Sequence, residues 1–485
     1  MKIFVFIFSL VSVSAILAQS PVIEWQKCFG GGNDDYVTSF QQTSDLGYVM
    51  VGSSSSNILV VKTDSLGNLD WQYYLGGSGL DEAFSIFQTS DNGYIIGGRT
   101  NSPEYSLDQV LDSWIIKLDS LGQTSWQLCL GDPYTADGIN SIIQTSDGGY
   151  IFCGFNNYYG CIVTKISSSG IIEWESATTG VSANGNVIKQ TNDGGYIVGG
   201  DLVPQISYTS AGDPYFIVNF PFINSSEILT ADTSSHSLYQ PDAWVVKYDP
   251  VGNINWYKHF GGSSFDYIKS IRQTSDGGYI VLGITNSNDG DVSGNHGDKD
   301  LWVVKLDING NISWQKCIGG TMSEGEWASQ VGYGEIIETS NGKYIIVSMT
   351  ESNDGDVTGN HSDLDDGLFV ELDSNGNIIS LKCFGGSGFE AFTSITERSD
   401  GGYTLAGYTE NSNDGDVTCN NGNLDFWLLK LKTGNTLSLP EHTNSNQKTP
   451  FKIYNILGQE TEFKPNTVLI YVYSDGTTER VFKTE

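Results

Sequence analysis

The chain is short of positive charge. Of its 485 residues only 24 are Lys or Arg, against 57 Asp and Glu, for a formal net charge of −33. A surface of that sign repels nucleic acid and anionic lipid and takes both out of the set of partners. Cations and neutral polar ligands such as glycans stay in it, and solubility alone also accounts for such a charge. Histidine is scarcer still. The chain has five, His236, His259, His296, His361 and His442, and no Cys/His spacing resembles a zinc site. There is no Gly-x-Ser-x-Gly, no phosphate loop and no His-Glu-x-x-His. Paired carboxylates for glycoside hydrolysis could be drawn from so many acids, but the spacing singles none out.

Long apolar runs are missing too, save one. Met1–Ala18 reads as a secretory signal: Lys2, then an apolar stretch from Ile3 to Leu17 broken only by serines. That stretch is too short for a comfortable membrane span. Cleavage is expected after Ala18, and the mature protein is expected to be secreted or at the cell surface.

Glycine (58) and tyrosine (25) are plentiful while charged residues make up only 17%, a mix that suits many short strands joined by tight turns. The strands repeat. A Trp-centred strand ending in a glycine pair runs from Trp25 to Gly31, Trp71 to Gly77, Trp256 to Gly262 and Trp314 to Gly320. Weaker copies sit at Trp126 and Trp174, and Ser380 takes the Trp place before Cys383–Gly386. Each repeat reads as four strands. Ser270–Asp276 is a first strand, and Asp-Gly-Gly-Tyr at 276–279 is a hairpin whose glycine supplies positive φ. Tyr279–Gly283 is the second strand. After a loop of variable length, Trp302-Val-Val-Lys-Leu-Asp307 is the third, and a second turn leads to the Trp-bearing fourth.

Four antiparallel strands repeated every 46 to 82 residues predict the blades of a β-propeller. Seven sets of the first three strands occur, and seven fourth strands, but out of phase. Ile23–Phe29 precedes any complete repeat, and the last repeat stops at Lys432. A ring accounts for both facts and leaves no open edge. The expected fold is all-β: a seven-bladed β-propeller over 22–432 closed by the N-terminal strand, a linker over 433–449 and a small C-terminal β sorting domain over 450–485.

Seven cysteines are an odd number. Cys28, Cys129, Cys317 and Cys383 hold the same place in four repeats, a whole repeat apart and too distant to pair with one another, so they read as small buried packing. Cys153 and Cys161 flank one hairpin, where a disulfide or two free thiols both fit.

Two stretches resemble known families. The Lys-Leu-Asp-x-x-Gly-x-x-x-Trp run, Lys305 to Trp314 and Lys117 to Trp126, resembles the blade pattern of quinoprotein-like propellers, which implies fold and not cofactor. The segment 450–485, with Ile453-Tyr-Asn-Ile-Leu-Gly458, Ile470-Tyr-Val-Tyr-Ser-Asp-Gly476 and a Lys near its end, resembles the C-terminal sorting domain of proteins exported by the type IX secretion system of Bacteroidetes. The usual Pro-Asn-Pro opening is absent, and Leu439-Pro-Glu-His442 stands there. The resemblance implies the type IX machinery as a partner. A hairpin packed on the propeller is the plain alternative.

In such a ring both turn types share one face, and the variable loops share the other with the blade connections. Ligand contacts are expected on the loop face. An acid recurs there five residues after the first glycine of the pair: Asp35, Asp81, Asp266, Glu324 and Glu390, with Asp137 one step later and Gly185 at the place in the fourth repeat. These acids would ring the channel mouth, as a cation or polar-ligand site or as anchors for the backbone amides of the connection. The loop Ser287–Asp300 recurs as Ser352–Asp365 and Ser412–Asp425. Its acids, Asp289, Asp291, Asp300, Asp354, Asp356, Asp365, Asp414, Asp416 and Asp425, have the oxygen density for calcium, the one cofactor the chain hints at. They fail the EF-hand pattern, and Asn-Asp-Gly is ordinary turn chemistry. His296 and His361 fall at equal places, which points to loop structure. The insertion Asp201–Pro241 offers Tyr208, Tyr215, Phe216 and Phe220 for sugar stacking or for packing.

Three functions are compatible with this reading. The first is an exported, non-catalytic binding or scaffold propeller for glycans or surface proteins. The second is a secreted glycoside hydrolase or other carbohydrate-active enzyme, and the third a purely structural surface protein. Two close carboxylates in a deep cleft would mark the enzyme, and a shallow aromatic surface the binder.

Overall fold

The computed structural model describes residues 21–432 apart from 107–108, 132–133, 158–159, 179–181, 204, 209–213, 218–227, 230–240 and 327–333. Towards the C-terminus it describes 452–455, 459–461, 467–472 and 478–483. The expected signal segment, linker and Phe220 lie outside the described residues. The chain divides into two compact units, Met1–Thr433 and Gly434–Glu485.

The first unit holds seven four-stranded antiparallel sheets. Their first strands are Asp35–Gln42, Asp81–Gln88, Asp137–Gln144, Ser182–Gln190, Asp266–Gln273, Glu335–Glu338 and Phe389–Glu397. Each touches the first strand of the next sheet, and the seventh touches the first, so the sheets form a closed ring with these strands innermost. This is a seven-bladed β-propeller. The outermost strand of the seventh blade is Val22–Phe29, paired antiparallel with Leu424–Lys432 so that Val22 faces Lys432 and Phe29 faces Phe426. The closure inferred from the phase mismatch is therefore the closure observed.

The third strands are buried on both faces, every residue of Asp112–Leu118 and Asp300–Leu306 included, which is why they read as the most apolar runs. The lysine they carry has a fixed partner. Lys117, Lys165, Lys247 and Lys305 reach the Asp of the first turn at 3.0, 3.0, 2.9 and 2.9 Å. In the sixth blade the charges are exchanged: Lys343 follows the turn glycine and meets Glu371 on the third strand at 2.6 Å. Burial pushes the turn carboxyls up, but the Thr hydroxyl two residues before, the turn amide and the Lys outweigh it. They hold Asp91, Asp147, Asp193 and Asp276 at about 2.

The repeated Trp belongs to the blade after its own. Trp71 meets Tyr94 at 5.8 Å, Trp126 meets Tyr150 at 5.9 Å and Trp256 meets Tyr279 at 5.8 Å. The same ring lies against the glycine of the next blade's second turn. A Cβ on Gly310 (φ 77°) would sit 2.6 Å from Trp256. Trp, Tyr and turn glycine thus recur together because the three seat one blade on the next, at six of the seven junctions; at the other Ser380 stands in the Trp place.

Hydrogen bonds run around the ring between inner strands. Ser39 and Ser85 hydroxyls accept from the Ile86 and Ile142 amides at 3.2 and 3.1 Å. The last side chain of an inner strand accepts from the first turn of the preceding blade, as Gln88 from Ser44, Gln144 from Ser90, Gln273 from Asn192 and Glu338 from Ser275 at 2.6–2.8 Å. A third belt runs at the β-bulge. Thr38 donates to the Ala83 carbonyl at 2.7 Å, Asn140 to Gly185 at 3.1 Å and Asn186 to Ile268 at 3.0 Å. The Gln-Thr-Ser-Asp-Gly-Gly repeat is legible as this set of inter-blade contacts.

The cysteines correct the sequence reading at Cys28 and decide between its two alternatives at Cys153 and Cys161. Cys28 is not mere packing: it is disulfide-bonded to Cys419 across 391 residues, with Cα atoms 5.7 Å apart. Cys419 holds the place that Gly294 and Gly359 hold in the two equivalent loops, and that loop lies against the outer strand of its own blade. Cys153 and Cys161 are both free and buried.

Part of the long insertion, Gln205–Tyr208, Pro214–Ile217 and Ile228–Leu229, forms a three-stranded sheet of its own. The second unit contains a three-stranded antiparallel sheet, Lys452–Asn455, Thr467–Val472 and Thr478–Lys483. No helix among the described residues is long and apolar enough to cross a membrane.

Candidate functional site on the loop face

The recurring acid is wholly buried at Asp35, Asp81, Asp266, Glu324 and Glu390; the first three open their inner strands, Glu390 is second in its strand, and Glu324 forms an isolated bridge with Thr350 ahead of Glu335–Glu338. Each accepts from the amide of the second glycine of the pair. The donors are Gly31, Gly77, Gly262, Gly320 and Gly386, at 2.8, 2.7, 2.8, 3.1 and 2.9 Å. A Thr at the end of the second strand adds a second bond, as Thr350 to Glu324 and Thr409 to Glu390 at 2.8 Å. A following Ser adds a third, as Ser102 to Asp81 and Ser287 to Asp266 at 2.8 Å. Asp137 opens its inner strand likewise. In the fourth blade the place belongs to Ala183, which faces Leu202, and not to Gly185. The connection into that blade is shorter, so a count from the glycine overshoots.

A second ring of acids escaped the sequence reading in part. Asp112, Asp242, Asp300 and Asp366 open the third strands, Asp425 is second in its own, and all five are buried. The signal was present as Asp-x-Trp in Asp112–Trp114, Asp242–Trp244, Asp300–Trp302 and Asp425–Trp427. The two rings meet at the first glycine. A Cβ on Gly30 would lie 2.4 Å from Asp35 and 2.5 Å from Asp425, and one on Gly385 would lie 2.3 Å from Asp366 and 2.7 Å from Glu390. Only glycine fits between two carboxylates so placed. Burial raises the inner acids, Asp266 to about 6 and Glu324 to about 7, with a second-ring acid adding to the push. Glu324 therefore keeps its proton in part at neutral pH, and Asp266 does so as the pH falls towards 6.

The three acidic loops form one structure. Asp289, Asp354 and Asp414 accept from the Ser263, Thr321 and Ser387 amides at 2.7, 2.8 and 2.7 Å, pinning each blade connection. The backbone amides of Asp291, Asp356 and Asp416 donate to the first glycine's carbonyl at 2.8, 2.9 and 2.8 Å. The middle loop is one residue longer than its relatives. Asp366, and not Asp365, therefore takes the place of Asp300 and Asp425. Asp365 is buried beside it, and burial with the neighbouring Glu351, Asp366 and Glu324 carboxylates raises it to about 8.

Histidine links these loops from blade to blade. His296 Nδ1 lies 2.7 Å from Asp300 and its Nε2 3.8 Å from Asp356 of the next loop. His361 repeats this with Asp366 at 2.5 Å and Asp416 at 3.9 Å. Among the described residues no group of three or more His, Cys, Asp or Glu is arranged to hold a metal ion.

A cavity of about 330 Å³ opens between the first two blades on the opposite, turn face, lined by Trp71, Tyr94, Asp45, Asp70, Gln88 and Asn92 among others. No sequence argument placed a site there. Its residues belong to two different repeats.

No protein-family model matches the chain, and no curated protein matches it. Solved structures similar to it include "YCF48 bound to D1 peptide", at 10% identity over 84% of this chain and 98% of that one, with a TM-score of 0.43. Another is a protein of unknown function from Dyadobacter fermentans, at 8% identity over 85% and 99% of the two chains, TM-score 0.40. A third is a fungal alcohol oxidase of the AA5 family in complex with copper, at 9% identity over 95% and 84%, TM-score 0.43. Likenesses this distant carry no argument about a site.

Proposed function

We propose that this chain is an exported, non-catalytic binding or scaffold propeller, carried to the cell surface or medium through its C-terminal segment by a type IX secretion machinery. The observation that carries the non-catalytic reading is how the loop-face acids are used. Asp81, Asp266, Glu324 and Glu390 each hold backbone amides and neighbouring hydroxyls of a blade connection, which makes a rigid frame. The Cys28–Cys419 disulfide supports an oxidising destination. For the ligand, a glycan is supported by the Trp71–Tyr94 cavity, where aromatic faces stand beside carboxylates and amides, the usual chemistry of a sugar subsite.

Two measurements test this. In a type IX-competent host, removal of 450–485 is expected to leave a folded propeller in the periplasm; surface delivery of the truncated protein refutes the export reading. A glycan array probed with the purified chain is expected to show binding that Trp71→Ala abolishes. Release of reducing sugar from a bound glycan would replace the binder with an enzyme.

A further inference from the structure

The inner strands of the fourth and fifth blades carry cations that the rest of the ring does not. The residue before the last in an inner strand is Gln41, Phe87, Ile143, Ile337 or Thr396 in five blades, but Lys189 and Arg272 in these two neighbours. Lys269 occupies the bulge between Ile268 and Ser270, the place from which Thr38, Asn140 and Asn186 bridge to the next blade. Two positive groups, Lys189 and Arg272, thus lie side by side on the inner strands, with a third, Lys269, on the same strand as Arg272, in a chain of net charge −33.

Their partners are incomplete. The buried third-strand lysines each meet an Asp, whereas Lys189 and Lys269 make no hydrogen bond or ion pair among the described residues. Arg272 is bound through one terminal nitrogen to Glu335, but its Nε is buried without an acceptor. The acids nearby are already engaged. Glu335 also takes the Ile395 amide at 3.0 Å, and Glu326 takes the Tyr267 hydroxyl at 2.7 Å and the Lys299 ammonium at 3.0 Å. Asp201 takes Asn184 and Asn186 at 2.9 and 2.8 Å. Desolvation lowers Lys189 and Lys269 to about 8; Arg272 adds to the effect on Lys189, and the Glu335 carboxylate offsets part of it. A desolvated ammonium with no bonded acceptor is costly, and an anion bound beside it reduces the cost.

We propose that the axial channel holds a small oxyanion, a carboxylate or phosphate group, at Lys189 and Arg272 of two adjacent inner strands, with Lys269 further along the same wall. This site is separate from the Trp71 cavity and from the loop-face acids. Strong donors are free to close on an oxyanion: the two ammonium groups and the Arg272 Nε–H.

Titration calorimetry of the full chain with inorganic phosphate and, separately, with citrate at constant ionic strength tests it. One of the two is expected to bind, and which one binds tells a phosphate site from a carboxylate site. Lys189→Met and Lys269→Met are expected to weaken binding about tenfold or more. Without anion they are expected to melt at the wild-type temperature or above, because each removes an unpaired desolvated charge. The proposal is overturned if neither anion binds, if binding survives both substitutions unchanged, or if either variant melts lower without anion, which would show that the ammonium is already partnered.

Discussion

Replacing Cys28 and Cys419 with serine should loosen the ring at one place. Their disulfide closes a loop of 391 residues and ties the N-terminal outer strand to a loop of the last repeat. The chain-entropy relation gives about 6 kcal/mol for a loop of this length, and native disulfides typically deliver roughly 2–5 kcal/mol. With an unfolding entropy of about 2.1 cal/mol/K per residue, that range lowers the melting temperature of a ring of roughly 400 residues by about 2–6 °C. The loss should also be local. Without the bond Val22–Phe29 is held by its ladder to Leu424–Lys432, by packing of Trp25 and Phe29, and by the Gln26 and Glu24 side chains on Asp416, Trp427, Arg398 and Lys430, so it can peel from one end. Hydrogen exchange should speed up at residues 22–29 and 424–432 before anywhere else in the seventh blade. Thiol titration of the denatured, unreduced wild type should find five free cysteines, the described set of Cys129, Cys153, Cys161, Cys317 and Cys383. Seven reactive thiols would refute the pairing. Unchanged melting and exchange in the double variant would refute its role in closure.

Four further outcomes follow from the same contacts. Native Asp266 and Glu324 hold protons up to about 6 and about 7, above the usual carboxylate range, so the folded chain binds more protons than the unfolded one near neutrality. Stability should therefore rise as pH falls from 8 to 5; below pH 3 the turn acids held at about 2 lose their Lys partners and it should fall again, and a melting temperature that falls steadily from pH 8 to 5 contradicts this. Gly310→Ala should cost about 2 kcal/mol or more, since Trp256 blocks the Cβ, whereas Gly342→Ala, at φ 78° with open space, should cost only about 1–2 kcal/mol of backbone strain; equal losses in denaturant titration would remove the Trp256 lock. Lys305→Ala should cost about 1–3 kcal/mol, because it leaves the Leu306 carbonyl and the Asp276 turn without their donor, and an unshifted unfolding midpoint would say the pair is idle. Millimolar calcium should leave the melting temperature unchanged, because Asp289, Asp354 and Asp414 already hold backbone amides; a rise would reinstate calcium at these loops.

Much of the ring was readable along the chain because its rules are local. Asp-Gly-Gly-Tyr must turn, Trp-Val-Val-Lys-Leu must be a strand buried on both faces, and counting fourth strands was enough to require closure through residues 23–29. The loop-face acids were readable as a pattern, and the Thr-x-Ser after the second strand already hinted at what they bond. Register within loops was less secure, since a single inserted residue moved the equivalent of Asp300 from Asp365 to Asp366, and a shortened connection moved the fourth-blade place from Gly185 to Ala183.

The order of strands, the turn types and the number of blades were thus determined by the sequence alone, because each depends on residues within one repeat. What only the tertiary structure decided is what lies between repeats. Cys28 finds Cys419, Trp71 lies with Tyr94 beside a cavity, and Lys189 stands next to Arg272. No spacing within a repeat encodes these neighbours: ring closure brings the two cysteines together, and the packing of one blade on the next brings the other two pairs together.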